Sequence, residues 1–125
     1  MKTTAEDISL AKNALESSHI IRNGQYQSVF GGYISSFGAS LVQAGLLPTI
    51  IFFENKSEAE DRPLVIVALK KMMGIDNNIK MSTYILGKKE NSNIRRCDDT
   101  AFIQDVVRYM TAMKLALRMF DKIKK

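Results

Sequence analysis

Hydrophobic residues recur at steps of three and four along most of the chain, the spacing that gathers them on one face of an α-helix. In the first segment the apolar positions are Ile8, Ala11, Leu15 and Ile21, with Ser18 among them. Thr3-Thr4-Ala5-Glu6 reads as a capping box ahead of them, a hydroxyl at the N-cap and a carboxylate three residues later. The helix is expected to run to about Arg22, with Asn23-Gly24 as its stop.

The next stretch organises the rest. Between Arg22 and Glu54 there is no Lys, Arg, Asp or Glu. Within it Tyr26, Val29, Phe30, Tyr33, Ile34, Phe37, Leu41 and Val42 fall on one helical face, which predicts a second helix over Gln25–Ala44. Gly31-Gly32 and Gly38 lie inside it, each costing up to about 1 kcal/mol relative to alanine. Small residues there would let another helix approach closely. Gly45 ends the helix, because glycine enters the left-handed C′ conformation without steric cost. Pro48 opens a third helix to about Lys56, since the first turn needs no proline N–H.

Ser57 to Asp61 reads as a polar, acidic loop, and Asp61-Arg62-Pro63 as a helix start. A fourth helix carries Leu64, Val65, Val67, Ala68, Leu69, Met72 and Met73 and ends at Gly74. After the turn cluster Asp76-Asn77-Asn78, residues Lys80 to Leu86 read either as a short helix or as a strand. Gly87 to Asp98 is an exposed basic loop. Asp98 or Asp99 caps the last helix, expected to reach about Ile123, with Ile103, Val106, Val107, Met110, Met113, Leu117 and Phe120 on its apolar face. The pattern predicts an all-α bundle of about five to six helices forming a single domain over 1–125, with no internal repeat or linker.

Composition sharpens this picture in one respect. The formal charge is +5, but residues 1–60 carry −2 and residues 61–125 carry +7. A basic half without an amphipathic anchor or lipidation signal points to nucleic acid rather than to a membrane. The uncharged stretch does not read as a membrane span, because serines and glutamines interrupt it and Gly45 and Pro48 break it. A lone Cys97 and the absence of a signal peptide place the chain in a reducing cytoplasm.

Catalytic chemistry finds little support. His19 is the one histidine, and nothing pairs it with Cys97, although Arg95 and Arg96 offer that thiol an electropositive setting. Asp98-Asp99 reads as helix capping more readily than as a metal site, and no glycine loop has a phosphate-cradling spacing. No catalytic residue, metal, cofactor or small-molecule substrate is expected. Met110 and Met113 read as core, whereas Met72, Met73 and Met119 suit either a core or an adaptable contact surface.

The cations carry more information. Lys114, Arg118 and Lys122 are spaced as one stripe on the last helix, about 6 Å apart. Lys124 and Lys125 extend it. Such a stripe can follow a nucleic-acid backbone, and cations at a helix C-terminus also complement the macrodipole. Lys70, Lys71, Lys88, Lys89, Arg95 and Arg96 add phosphate candidates. Few aromatics remain to stack on bases, so the expected contact is with the backbone and indifferent to sequence.

Tyr33 to Phe53, YISSFGASLVQAGLLPTIIFF, resembles a signature of the small helical subunit of the type III-B CRISPR RNA-silencing complex, often called the Cmr complex. Members carry a helix ending in a Gly-Leu pair, here Gly45-Leu46, then a short Thr-containing apolar helix. Tyr109, Ala112, Leu115, Ala116 and Leu117 are similar to the family's Tyr- and Ala-rich terminal segment. Gly31-Gly32 and the lysine-rich loop 87–96 depart from the family pattern. The resemblance implies a non-catalytic antiviral subunit whose copies stack beside larger backbone subunits and line the groove where guide RNA pairs with target RNA. The guide supplies specificity, and cleavage belongs to other subunits. Two other readings stand beside it, a small subunit of the type III-A complex and a helical adaptor that binds only protein.

Overall fold

The computed structural model describes residues 2–56 and 61–123. Six α-helices account for most of them: α1 Ala5–Ser17, α2 Ser28–Ala44, α3 Leu46–Glu54, α4 Pro63–Met73, α5 Met81–Leu86 and α6 Thr100–Leu117. A 3₁₀ turn, Arg96–Asp98, precedes α6. Two short strands, β1 Gln25–Tyr26 and β2 Asp121–Lys122, pair in parallel. The all-α expectation holds, and the ambiguous segment after Lys80 is a helix. The loop expected over 57–61 lies outside the described residues except for Asp61.

The hub is α6, which packs against α1, α2 and α4. Its core face is Val106, Met110, Met113 and Leu117, with Ala112 and Ala116 letting neighbours approach. Both methionines assigned to the core are there, and Met72 is buried as well, whereas Met119 is 62% exposed. The first helix begins one residue later than its sequence suggests. Thr4, not Thr3, accepts from the Asp7 N–H at 3.1 Å, and the Asp7 carboxylate accepts from the Thr4 N–H at 3.0 Å. Asp7 also meets the Arg108 guanidinium of α6 at 3.4 Å, tying the two helices at their buried seam.

Helix α1 stops at Ser17 rather than Arg22. His19 adopts φ 67°, and the turn it makes buries Ile20 and Ile21. Asn23-Gly24, also at positive φ, then turns the chain into β1 instead of ending a helix. Consequently α2 starts at Ser28, and Tyr26 lies before it.

The α2–α3 hairpin forms as the glycine–proline pattern predicts, with two adjustments. Gly45 sits at φ 90°, ψ 172°, a region open to glycine alone rather than the compact left-handed well. Pro48 occupies the third position of α3, still within the first turn, where helix N–H groups have no internal partner. Buried Thr49 clamps the corner: its hydroxyl donates to the Gly45 carbonyl at 2.8 Å and lies 2.8 Å from the Ser40 hydroxyl on α2. Phe37 and Phe53 meet edge to face at 5.2 Å between ring centres. At the far end of α3, the Glu54 carboxylate accepts from the Met81 N–H at 2.6 Å and the Ser82 N–H at 3.3 Å, capping α5 from outside. Gly74 closes α4 in the left-handed conformation, with Ile75 N–H bonded to the Lys70 carbonyl at 2.9 Å.

Only Phe30, Ile34 and Phe37 of α2 are fully buried. Val29 is 39% and Val42 88% exposed. The apolar face read from sequence is therefore covered along one narrow stripe, and α2 presents an open, uncharged flank of glycine, serine and alanine. No helix among the described residues is long and apolar enough to cross a membrane.

Candidate nucleic-acid interface

The last helix ends at Leu117, so Lys114, Arg118 and Lys122 do not form one helical stripe. The Arg118, Met119 and Phe120 N–H groups bond three residues back, which tightens the end of α6 and turns the chain out of the helix. Half-buried Phe120 anchors the turn against the core. The Asp121 N–H then donates to the Gly24 carbonyl at 3.1 Å, and the Ile123 N–H to the Tyr26 carbonyl at 2.9 Å. This strand pairing sets Lys122 opposite Tyr26, just ahead of α2.

The three cations nevertheless converge. With Gly31, Gly32 and Ser35 of α2 they line one groove of about 350 Å³ running between α2 and the end of α6. Tyr26, Ser28 and Leu117 complete the walls, and no carboxylate is among the lining residues. All three cationic side chains are exposed, and none lies in an ion pair among the described residues. Lys124 and Lys125 lie outside the described residues.

The other six candidates are placed differently. Lys70 is buried, and its ammonium donates to the Asn77 carbonyl at 3.1 Å and the Ile79 carbonyl at 3.0 Å, holding the turn after α4. Lys71 donates to the Ser17 carbonyl at 3.2 Å, satisfying an orphan acceptor at the end of α1. Arg96 lies over the Tyr84 ring at 4.1 Å and donates to the Tyr84 carbonyl at 3.0 Å. Lys89 pairs with Asp99 at 3.3 Å. Lys88 and Arg95 form a bridge that folds the 87–96 loop back on itself, and both side chains are exposed. Thus the groove collects three of the nine, the loop presents two, and four serve contacts within the chain.

The residues considered for catalysis do not assemble. His19 is exposed in the turn after α1, while Cys97 lies in the 3₁₀ turn before α6. Burial, with the neighbouring Asp98 carboxylate, holds the Cys97 thiol above its ordinary range, the reverse of what a nucleophilic thiolate needs. Asp99 caps α6 by accepting from the Phe102 N–H at 2.9 Å. No group of three or more His, Cys, Asp or Glu among the described residues is arranged to hold a metal ion.

What sequence reasoning missed is the α2 contribution to the groove, and the short strand pair that carries Lys122 to it. The glycine pair was visible, but its neighbours across the groove were not. No curated protein and no solved structure matches the chain. The family model described as CRISPR-associated protein (Cas_Cmr5) matches residues 7–125. A match over nearly the entire length, on a mostly helical chain with this hairpin, means that the protein belongs to that family, the small subunit of the type III-B CRISPR Cmr complex.

Proposed function

We propose that the chain is a non-catalytic structural subunit of a cytoplasmic type III-B CRISPR ribonucleoprotein that acts in antiviral defence. Several copies stack beside the backbone filament, and each touches the backbone of the guide or target RNA. The observation that carries the RNA contact is the convergence of Lys114, Arg118 and Lys122 on one groove whose lining holds no carboxylate. Three cations in one concavity, with no ion pair among the described residues, suit a polyanion.

Contacts with other subunits and further copies draw support from the exposed apolar residues. Val42 is 88%, Ile51 53% and Phe52 51% exposed, and a partner that covered them would remove apolar surface from water. The test is charge reversal at Lys114, Arg118 and Lys122 in the assembled complex. RNA association is expected to weaken while the chain keeps its helical spectrum and its place among the subunits. Unchanged RNA binding with a native spectrum refutes the assignment.

A further inference from the structure

The interior glycines of α2 are costly. Each lowers helix stability by roughly 0.5–1 kcal/mol relative to alanine. Nothing among the described residues requires them: a Cβ built at Gly31 or Gly32 meets no atom within 4 Å outside its own helix backbone, and both residues lie within the run of a regular helix. Gly32 is exposed and Gly31 half-buried. They line the same groove as Lys114, Arg118 and Lys122.

From this juxtaposition we infer that Gly31 and Gly32 form the floor of a seat for the sugar–phosphate backbone of one RNA strand, with the three cations as its wall. The inference rests on the RNA-contact reading above and specifies where and how that contact is made. With no side chains on the floor, a ribose–phosphate chain lies directly against the helix, beside the cations of α6, its C-cap and β2. Ser28 and Ser35 place hydroxyl groups at either end of the glycine step, donors suited to phosphate and ribose oxygens.

The lining favours a nucleic-acid backbone over a protein. A protein interface core needs apolar or aromatic anchors. Here the one aliphatic wall residue, Leu117, is already 4% exposed and used by the core. The one aromatic, half-buried Tyr26, is held at the strand pair, so there is no platform for a succession of bases. The seat therefore takes phosphates without reading sequence. Lys122 depends on the strand pair for its position, so the last turn of the chain is a positioning element of the seat.

The experiment uses the full-length chain, isotopically labelled, titrated with an oligouridine RNA of about 12 nucleotides, within the span that single-strand sites cover. Amide shifts are expected at Gly31, Gly32 and Ser35 together with Lys114, Arg118 and Lys122. Three phosphate contacts predict a salt slope of about −2 for a single strand. Gly31→Gln with Gly32→Gln, which fills the floor, is expected to weaken RNA binding at least about fivefold, toward the loss of one charge contact. The same variant should melt no lower than the parent, because glutamine is the better helix former.

Shifts confined to Lys88 and Arg95, with glutamine variants that bind like the parent, overturn the seat and leave RNA contact standing. No shifts at millimolar RNA overturn both. Release of the glutamine variant from its complex, with the groove amides unmoved by RNA, would make the groove a protein seat and also overturn the inference. Should the glutamine variant fold poorly, the shift map of the parent chain decides alone.

Discussion

Gly45 is the position where one added methyl group should cost most for the least change in contact. Its φ of 90° with ψ of 172° lies in a region that only glycine enters freely. An added Cβ has open space around it, with nothing within 4 Å, so the penalty of Gly45→Ala is conformational rather than steric. Such strain costs of order 1–3 kcal/mol. Relaxing it by rotating φ would move the Gly45 N–H from the Leu41 carbonyl at 3.1 Å and its carbonyl from the Thr49 hydroxyl at 2.8 Å. The chain therefore has no inexpensive escape, and about 2 kcal/mol is the expected loss, with more for Gly45→Val because a β-branched residue tolerates positive φ worst. In a chain of this size that lowers Tm by about 8 °C. The control is Gly32→Ala in the same hairpin, where the backbone is ordinary helix and the substitution should raise stability by up to about 1 kcal/mol. Calorimetry and urea titration of both variants measure the difference. An unchanged or higher Tm for Gly45→Ala would show that the α2–α3 corner is not the one described.

Three further outcomes can be checked. Thr49→Val removes a fully buried hydroxyl that bonds the Gly45 carbonyl and the Ser40 hydroxyl, so stability should fall by about 1–3 kcal/mol in urea titration, and Thr49→Ser should recover most of it. Glu54→Ala should destabilise by about 1 kcal/mol and speed amide exchange at Met81 and Ser82, whose N–H groups its carboxylate caps. Burial and Asp98 raise the Cys97 pKa, so at a given pH above neutrality the folded chain holds less thiolate than the unfolded one. Its alkylation should lag behind that of the urea-unfolded chain and rise only at higher pH, whereas matching pH profiles would contradict the shift.

The helices were legible because their signals are periodic and long. Gly74 and Asp99 ended and opened helices where the sequence placed those signals, since one needs positive φ and the other offers a side-chain acceptor to an orphan N–H. The end of α1 was not legible. His19 carries no turn signature, yet it takes positive φ, and Ile20 and Ile21 are buried just after it. Nor was the strand pair, because two residues cannot display alternation. Helical extrapolation grouped Lys114, Arg118 and Lys122 on a stripe that does not exist, yet they share a groove because β2 returns Lys122 to the start of α2. Lys70 shows the converse: nothing in its neighbours signals that its ammonium turns inward onto two carbonyls. Exposure of Val42 was equally hidden, because periodicity says which face can be covered, not whether the same chain covers it.

The most direct test of the functional account is recovery of the tagged chain from its own cells, with identification of the co-purifying proteins and sequencing of the co-purifying RNA. The account predicts larger CRISPR backbone subunits together with short repeat-tagged guide RNAs, and loss of RNA crosslinks to the chain when Lys114, Arg118 and Lys122 are reversed in charge. Recovery of protein partners without RNA, or of the chain alone, would contradict it.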